Sequence, residues 1–381
     1  LVRIDLETGE RRRLSPEINW DVESFDLSPE GRTIAYAVNE AGQSRLRLLS
    51  VRSSRVERTV DLPPGVVGGI EWNEAGDRFG FTLAQATAPA EAYVYERNRN
   101  RLTRWTQSEV GGLNPETFVA PTLIEWDSFD GRAISGFYYR PTNAAGRMPV
   151  IIDIHGGPEA QSRPTFSSAR QYWVNELGVA VITPNVRGSS GFGRTFLSLD
   201  NAERREDAVK DIGALLDWIE TQPDLDPNRV LVYGGSYGGY MVLASMVHYN
   251  DRLAGAVNIV GISNFVTFLE NTSGYRRELR RVEYGDESDP AMRAILQQIS
   301  PLTNIDRVSR PMFVIHGAND PRVPVSEAVQ VTAAIRANNG EVWSMIASDE
   351  GHGFRKRNNQ EAQREAETLF FQRVLGLSAA P

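Results

Sequence analysis

Apolar and polar residues alternate in short runs through the first part of the chain, up to Gln107. Segments 25–36 and 70–81 each contain a short apolar run, a turn that ends in glycine and an alternating strand, and two further short strands follow each of them. A repeat of roughly 40–45 residues built from short strands is typical of a β-propeller blade. The pattern therefore predicts two blades, preceded at residues 2–10 by the tail of another.

This propeller segment is too short to close a ring. Propellers contain about four to eight blades, because each blade buries its faces only against its neighbours. We therefore expect the chain, whose first residue is Leu1, to be the C-terminal part of a longer polypeptide. A small β-sandwich that contains two similar hairpins is the alternative interpretation.

The hydrophobic pattern changes after Gly111 and Gly112. An Asp130-Gly131 turn is predicted to join the first two strands of this second region as a hairpin. Continuous apolar runs then predict buried strands at 150–154, 179–183, 230–233, 256–260, 312–316 and 342–346. Helical patterns are found at 203–220, 240–249, 326–337 and 360–374. Buried strands that alternate with helices predict a parallel sheet covered on both faces, and so an α/β fold.

The strongest chemical signal is Ser236, which lies in the sequence Gly234-Gly235-Ser236-Tyr237-Gly238 between a predicted strand and a predicted helix. Gly-x-Ser-x-Gly in that position is the pattern of a nucleophile elbow. The glycines allow a tight, strained turn, and the new helix directs its N-terminal amides towards the serine. A glycine-rich turn with an unreactive serine is the alternative interpretation.

Two further residues complete a catalytic pattern in the order serine, aspartate, histidine. Asp320 follows a predicted buried strand, and His352 lies between two glycines on the loop after the next strand. This is the chain order of α/β-hydrolases. The histidine would accept the serine proton, and the carboxylate would orient the imidazole and stabilise its cation. Asp320 as a helix cap and His352 as an ordinary loop residue remain the alternative.

A His-Gly-Gly-Pro loop at residues 155–158 follows the first of the continuous apolar strands. Loops of this type supply a backbone amide to an oxyanion hole, together with the amide of the residue after the nucleophile. We therefore predict Gly157 and Tyr237 as the two donors. His155, which precedes the two glycines, is interpreted as shaping the loop, with a role as the catalytic base as the alternative.

Composition narrows the chemistry further. The chain has no cysteine, which excludes disulfides, thiolate metal sites and a cysteine nucleophile. Its four histidines are scattered, so no metal site is expected, and His248 and His316 are interpreted as structural. A net charge of −8 argues against nucleic acid or an anionic membrane surface as the main partner. No apolar run approaches the roughly 18 residues of a membrane span, and the glycine-rich stretch at 187–193 lacks a nucleotide-binding pattern.

Taken together, these motifs resemble those of the prolyl oligopeptidase family of serine peptidases, in particular its acylaminoacyl-peptidase and dipeptidyl-peptidase-like members. The resemblance covers about residues 115–377 and is carried by 155–158, 185–193, 234–240, 317–324 and 351–353. It implies an α/β-hydrolase catalytic domain preceded by a propeller that screens access to the active site, admitting peptides and excluding folded proteins.

The resemblance also implies substrate-binding residues. Arg322 matches the family's arginine that binds a substrate backbone carbonyl, with a surface salt bridge as the alternative. Phe265 and Phe268 match the aromatic lining of the S1 pocket, and Tyr240 is a further candidate, with ordinary core packing as the alternative. The acidic pair with which dipeptidyl-peptidase members hold a substrate amino terminus is missing, so exopeptidase and endopeptidase activity both stay open.

These inferences predict a partial β-propeller of about two blades plus a remnant at residues 1–110, and an α/β-hydrolase catalytic domain at 111–381. The predicted function is hydrolysis of short peptides or acyl-peptides through an acyl-enzyme, without a cofactor or a metal. A carboxylesterase on the same fold is the alternative, and an inactive propeller-type binding protein is a remote one. The predicted partners are the substrate and the missing N-terminal part of the propeller, with no nucleic acid and no membrane. The sequence leaves open whether the protein forms a homo-oligomer and which residue it prefers at the cleavage site. It also leaves open whether the protein, expected to be soluble, is cytoplasmic or periplasmic.

Overall fold

The alternating segments at the start of the chain form antiparallel strands. A computed structural model describes residues 1–142 and 146–377 and divides them into two compact units. The first unit contains Leu1–Pro121 and the short segments Arg163–Ser168 and Gly191–Arg194, and the second contains the remaining described residues. The domain boundary predicted between residues 110 and 111 stays a prediction.

The strands of the first unit are β1 (Val2–Ile4), β2 (Arg11–Arg13), β3 (Asp21–Leu27), β4 (Thr33–Glu40), β5 (Gln43–Ser50), β6 (Arg55–Val60), β7 (Val66–Trp72), β8 (Arg78–Gln85), β9 (Ala88–Glu96) and β10 (Arg101–Arg104). Strand β1 pairs with β2, while β3 to β6 form one four-stranded antiparallel sheet and β7 to β10 form another. Each predicted repeat thus forms one four-stranded sheet, the unit from which propellers are built.

An apolar core joins the two four-stranded sheets of the first unit. Ala35 and Ala37 of β4 and Leu46 of β5 pack with Phe79 and Phe81 of β8. Successive side chains of a strand point to opposite faces, so residues two apart share a face. The alternation in the sequence therefore identifies the buried face of each sheet.

The strands of the second unit are β11 (Thr122–Asp127), β12 (Ala133–Tyr139), β13 (Met148–Ile154), β14 (Ala180–Asn185), β15 (Leu225–Gly235), β16 (Gly255–Ile259), β17 (Met312–Gly317) and β18 (Val342–Ala347). They form one eight-stranded sheet in the order β11-β12-β14-β13-β15-β16-β17-β18. The pairs from β14 to β18 are parallel, and the pairs made by β12 are antiparallel. The sheet is therefore mixed, with an antiparallel hairpin at one edge.

Helices connect these strands: α1 (Ser168–Asn175), α2 (Arg194–Leu197), α3 (Asp207–Thr221), α4 (Tyr237–Tyr249), α5 (Phe265–Asn271), α6 (Gly274–Tyr284), α7 (Pro290–Ile299), α8 (Ser326–Ala337) and α9 (Arg357–Leu375). Short 3₁₀ turns lie at Pro115–Thr117, Ala202–Arg204, Asn250–Arg252 and Pro301–Arg307. Across residues 1–142 and 146–377, no helix combines the length and the apolar character needed to cross a bilayer.

The direction of the strands brings the predicted catalytic residues to one edge of the sheet. Strands β15, β16, β17 and β18 run parallel, so their carboxyl ends lie on the same side. Ser236 directly follows β15, Asp320 follows β17, and His352 follows β18. This is the edge at which open α/β sheets bind their ligands.

Glycine is required where α4 begins. A Cβ on Gly238 would lie 2.2 Å from the Ile154 carbonyl oxygen and 2.9 Å from that of His155. We expect Gly238→Ala to destabilise the protein by about 1–3 kcal/mol, because backbone atoms of β13 would have to move. Urea unfolding measures this loss. Gly274→Ala is the control, since that glycine has open space around its Cα, and an equal effect of both substitutions would contradict the prediction.

Candidate active site

Ser236 occupies a strained turn between β15 and α4. Its backbone φ is 59° and its ψ is −119°, a combination that residues other than glycine rarely adopt. Its amide donates a hydrogen bond to the Ile259 carbonyl at 2.8 Å, and its carbonyl accepts one from the Tyr240 amide at 3.1 Å. The serine is thus held between the strand and the helix in the manner of a nucleophile elbow.

Asp320 and His352 form a hydrogen-bonded pair. Oδ2 of Asp320 lies 2.7 Å from Nδ1 of His352, and its Oδ1 accepts from the backbone amides of Arg322 at 2.8 Å and Val323 at 3.1 Å. The Asp320 carboxylate is buried, whereas the His352 side chain is 16% exposed. Because Nδ1 donates to the carboxylate, Nε2 of a neutral imidazole is left free to accept a proton.

The surroundings of Asp320 favour its ionised form. Burial acts to raise the pKa of the carboxyl group, but the hydrogen bond and charge of His352 and the two backbone amides outweigh it, so the pKa lies below its ordinary value. A carboxylate is therefore present beside the imidazole at neutral pH. This is the state that stabilises an imidazolium.

Backbone atoms of the His-Gly-Gly-Pro loop approach the serine turn. A Cβ on Gly156 would lie 3.4 Å from Cβ of Ser236 and 2.9 Å from the Gly235 carbonyl oxygen. Gly157 has a φ of +133°, and a Cβ there would lie 2.8 Å from the Glu159 nitrogen. Only glycine fits at these two positions, and backbone that is free of side chains there can point an amide at a developing oxyanion.

Among the described residues, the His352 ring bonds to Asp320 and not to the Ser236 hydroxyl. Hydrogen bonds between catalytic groups are often long in enzymes without substrate and shorten in the complex. The aspartate–histidine half of the predicted triad is thus in contact. The serine–histidine contact stays a prediction.

The remaining histidines have other partners. His316 is buried and donates from Nε2 to the Val323 carbonyl at 2.9 Å, and burial lowers its pKa. The ring of His155 bonds to the Ser189 hydroxyl at 2.8 Å, and His248 pairs with a carboxylate near the start of α3. These contacts fit structural roles, as the sequence suggested.

The predicted substrate-binding residues differ in exposure. Arg322 is exposed, while its backbone is fixed by Asp320. Tyr240, Phe265 and Phe268 are buried in the core of the second unit, with the Phe265 ring centroid 4.6 Å from that of Tyr240. Their part in substrate binding stays a prediction.

Sequence reasoning did not find a buried cluster of charged residues beside Tyr237. Arg205 is fully buried, and Asp200 and Glu283 are 1% and 5% exposed. The Tyr237 hydroxyl donates to the Asp200 carboxylate at 3.1 Å. No local pattern marks these residues, because Tyr237 and Glu283 are distant in the sequence from Asp200 and Arg205 and the charges resemble ordinary surface charges.

Comparison with known proteins identifies the family. Residues 164–378 match the model of the prolyl oligopeptidase family. The chain therefore belongs to this family of serine peptidases, as its motifs predicted.

Two curated relatives show how much of such proteins the chain spans. It is 31% identical to dipeptidyl aminopeptidase BIII of Pseudoxanthomonas mexicana over 394 residues, which cover 100% of this chain and 57% of the relative. It is 34% identical to dipeptidyl peptidase family member 6 of Caenorhabditis elegans over 251 residues, which cover 64% of this chain and 34% of the relative. The chain thus spans little more than half of the first relative and a third of the second.

Solved structures share the fold. A puromycin-hydrolyzing peptidase of Mycobacterium tuberculosis matches 99% of this chain and 58% of its own, with a TM-score of 0.89 and 22% identity. Prolyl oligopeptidase B of Galerina marginata matches with a TM-score of 0.87 and 20% identity, over 99% of this chain and 55% of its own. The predicted fold class, an α/β-hydrolase domain preceded by an incomplete β-propeller, is confirmed.

The pKa of Asp320 predicts how stability depends on pH. A carboxyl group whose pKa is lowered by folding stabilises the native state above its unfolded pKa of about 3.9, and this stabilisation is lost as the pH falls through the lower folded pKa. We expect Asp320→Asn to cost about 1–3 kcal/mol at pH 7, because the amide cannot accept all three hydrogen bonds. The difference should shrink below about pH 4.

Thermal unfolding followed from pH 3 to pH 8 measures this difference. Asp306→Asn, which changes an exposed aspartate of the same unit, is the control and should alter stability by no more than about 0.5 kcal/mol. If the difference in stability between Asp320→Asn and the parent stays constant down to pH 3, the charge of Asp320 does not stabilise the fold.

Proposed function

We propose that this protein is a serine peptidase that hydrolyses short peptides or acyl-peptides through an acyl-enzyme. The observation that carries the proposal is the 2.7 Å hydrogen bond between the buried Asp320 and the partly exposed His352, at the sheet edge where Ser236 follows β15. Membership of the prolyl oligopeptidase family supports it.

In the proposed mechanism, Ser236 Oγ attacks the carbonyl carbon of the substrate while Nε2 of His352 takes the hydroxyl proton. Asp320 keeps the proton of the resting imidazole on Nδ1 and stabilises the imidazolium. The amides of Tyr237 and Gly157 hold the oxyanion of the tetrahedral intermediate. The imidazolium then protonates the leaving amine, and water activated by His352 releases the acyl group.

Substrate recognition in this proposal combines one charge with an apolar site. The exposed Arg322 would donate to a backbone carbonyl of the peptide, and its position is fixed by the bond from its own amide to Asp320. Tyr240, Phe265 and Phe268 would form the wall of an apolar pocket for the side chain at the cleavage point. The names of the two relatives favour peptides over other substrates, since one is called a dipeptidyl aminopeptidase and the other a dipeptidyl peptidase family member.

Replacement of the nucleophile tests the assignment. We expect Ser236→Ala to lower kcat by about a millionfold, as removal of the nucleophile does in other serine peptidases. A fluorophosphonate probe should label the parent at Ser236 and leave the variant unlabelled, as read by peptide mass spectrometry. Ser245→Ala, which removes from the same helix a buried hydroxyl that has no hydrogen-bond partner within residues 1–142 and 146–377, is the matched control. Retained turnover in Ser236→Ala would refute the mechanism.

The same triad can cleave esters, so the carboxylesterase alternative needs its own measurement. We expect the protein to hydrolyse an acyl-amino-acid anilide, with an amide kcat/KM within about a hundredfold of that for the matching ester, because a peptidase must protonate an amine leaving group. Steady-state kinetics on the two substrates compares them. Ester turnover without detectable anilide turnover would favour the esterase.

A further inference from the structure

The charged cluster beside Tyr237 is a network that the proposed catalytic steps do not use. Arg205 binds the Asp200 carboxylate through Nη1 and the Glu283 carbonyl through Nη2, the latter at 3.0 Å. Its guanidinium carbon lies 5.3 Å from the ring centroid of Tyr237 and 4.8 Å from that of Tyr284. The Tyr237 hydroxyl also donates a hydrogen bond to Asp200. The Tyr237 side chain therefore has one contact at its ring, with Arg205, and another at its hydroxyl oxygen.

The network continues to the second proposed oxyanion donor. Nη1 of Arg280 donates to Oε2 of Glu283 at 2.9 Å and to the Gly157 carbonyl oxygen at 3.3 Å. Oε1 of Glu283 lies 3.5 Å from Nη2 of Arg205. One buried carboxylate therefore faces both arginines, of which one contacts Tyr237 and the other contacts Gly157.

We propose that Glu283 is a positioning residue of the oxyanion hole. Its carboxylate aligns Arg280 on the Gly157 carbonyl through a hydrogen bond and attracts Arg205, which Asp200 also binds, and so supports the separation of the two backbone amides. The inference rests on the proposed function, in which these amides bind the oxyanion. Donors of an oxyanion hole act through their fixed geometry, so the groups that hold them affect the rate without contacting the substrate.

The energetics of buried charge favour this role over simple stabilisation. Buried ion pairs lose much of their attraction to desolvation, and apolar residues of similar volume often stabilise a fold equally well. An apolar side chain at position 283 would fill the space, but it could not orient a guanidinium towards a carbonyl. The contact between Arg280 and Gly157 is thus one that the Glu283 carboxylate supports and an apolar residue at that position would not.

The charge of Glu283 also varies near neutral pH. Burial raises its pKa to about 7, with Glu159 and Asp200 adding repulsion, while Arg205 and Arg280 oppose the rise. The carboxylate that contacts the arginines therefore changes from mostly neutral to mostly ionised as the pH rises through the neutral range. This gives the positioning role a pH dependence that a change in packing would lack.

Glu283→Gln tests the proposal with little change in shape. We expect kcat on an acyl-amino-acid anilide to fall about tenfold with KM within twofold, a fraction of the loss seen when a donor itself is removed. The rate constant for phosphonylation of Ser236 by a fluorophosphonate should fall similarly, because that reaction also develops charge on an oxygen in the oxyanion hole. The ratio of parent kcat to variant kcat should be largest near pH 8.5 and should fall towards 1 as the pH is lowered to 5.5.

Glu278→Gln is the matched control, since Glu278 lies on the same helix, is 77% exposed and pairs with Arg281 instead. It should leave all rates unchanged. If Glu283→Gln does not fold, Arg280→Gln replaces it, because this change removes the contact to Gly157 and should give the same loss of kcat.

Rates of Glu283→Gln equal to those of the parent, a change confined to KM, or a loss independent of pH would each overturn the positioning role while the proposed function stands. If the fluorophosphonate labels neither the parent nor Glu278→Gln at Ser236, the proposed function itself is wrong, and the positioning role falls with it.

Discussion

The candidate site depends on the close approach of α4 to the ends of β13 and β15. A Cβ on Gly238 would lie 2.2 Å from the Ile154 carbonyl oxygen, and one on Gly234 would lie 2.5 Å from the Gly238 carbonyl oxygen. This contact brings the first turn of the helix onto the strand ends, so that the chain between them must turn sharply. Ser236 absorbs the turn with a positive φ. The position of Ser236 on this turn is thus a consequence of backbone packing.

The charged groups around this turn fall into two classes that differ in their contact with solvent. His352 pairs with the buried Asp320 carboxylate, which also accepts hydrogen bonds from two backbone amides. Because the His352 side chain is partly exposed, a proton can reach its other ring nitrogen from solvent. Arg205 and Glu283 are buried, and neither is placed to contact a substrate in the proposed mechanism. The first class suits acid–base chemistry, and the second suits the fixing of geometry.

The predictable parts of the molecule are those whose chemistry is local in sequence. The apolar runs of the strands and the glycines around Ser236 reflect constraints that act over a few residues. The order of Asp320 and His352 along the chain follows from the parallel sheet. The contact between Glu283 and Arg205 depends on how α6 packs, and no short pattern encodes it. For the same reason the burial of Phe265 could be expected from its apolar surroundings, while its part in a substrate pocket could not be decided.

Tyr237 connects the locally encoded turn at Ser236 with the buried charged cluster. Strain such as that at Ser236 persists only where the surroundings hold the backbone in place. The glycines permit the turn, but they form no side-chain bonds that could maintain it. Tyr237 is the first residue with a side chain after the turn, and its buried ring and hydroxyl are held by Arg205 and Asp200. The residue whose amide is proposed to bind the oxyanion is therefore also the one that anchors the strained turn, so the buried charges stabilise the nucleophile's conformation and the donor's position through a single side chain.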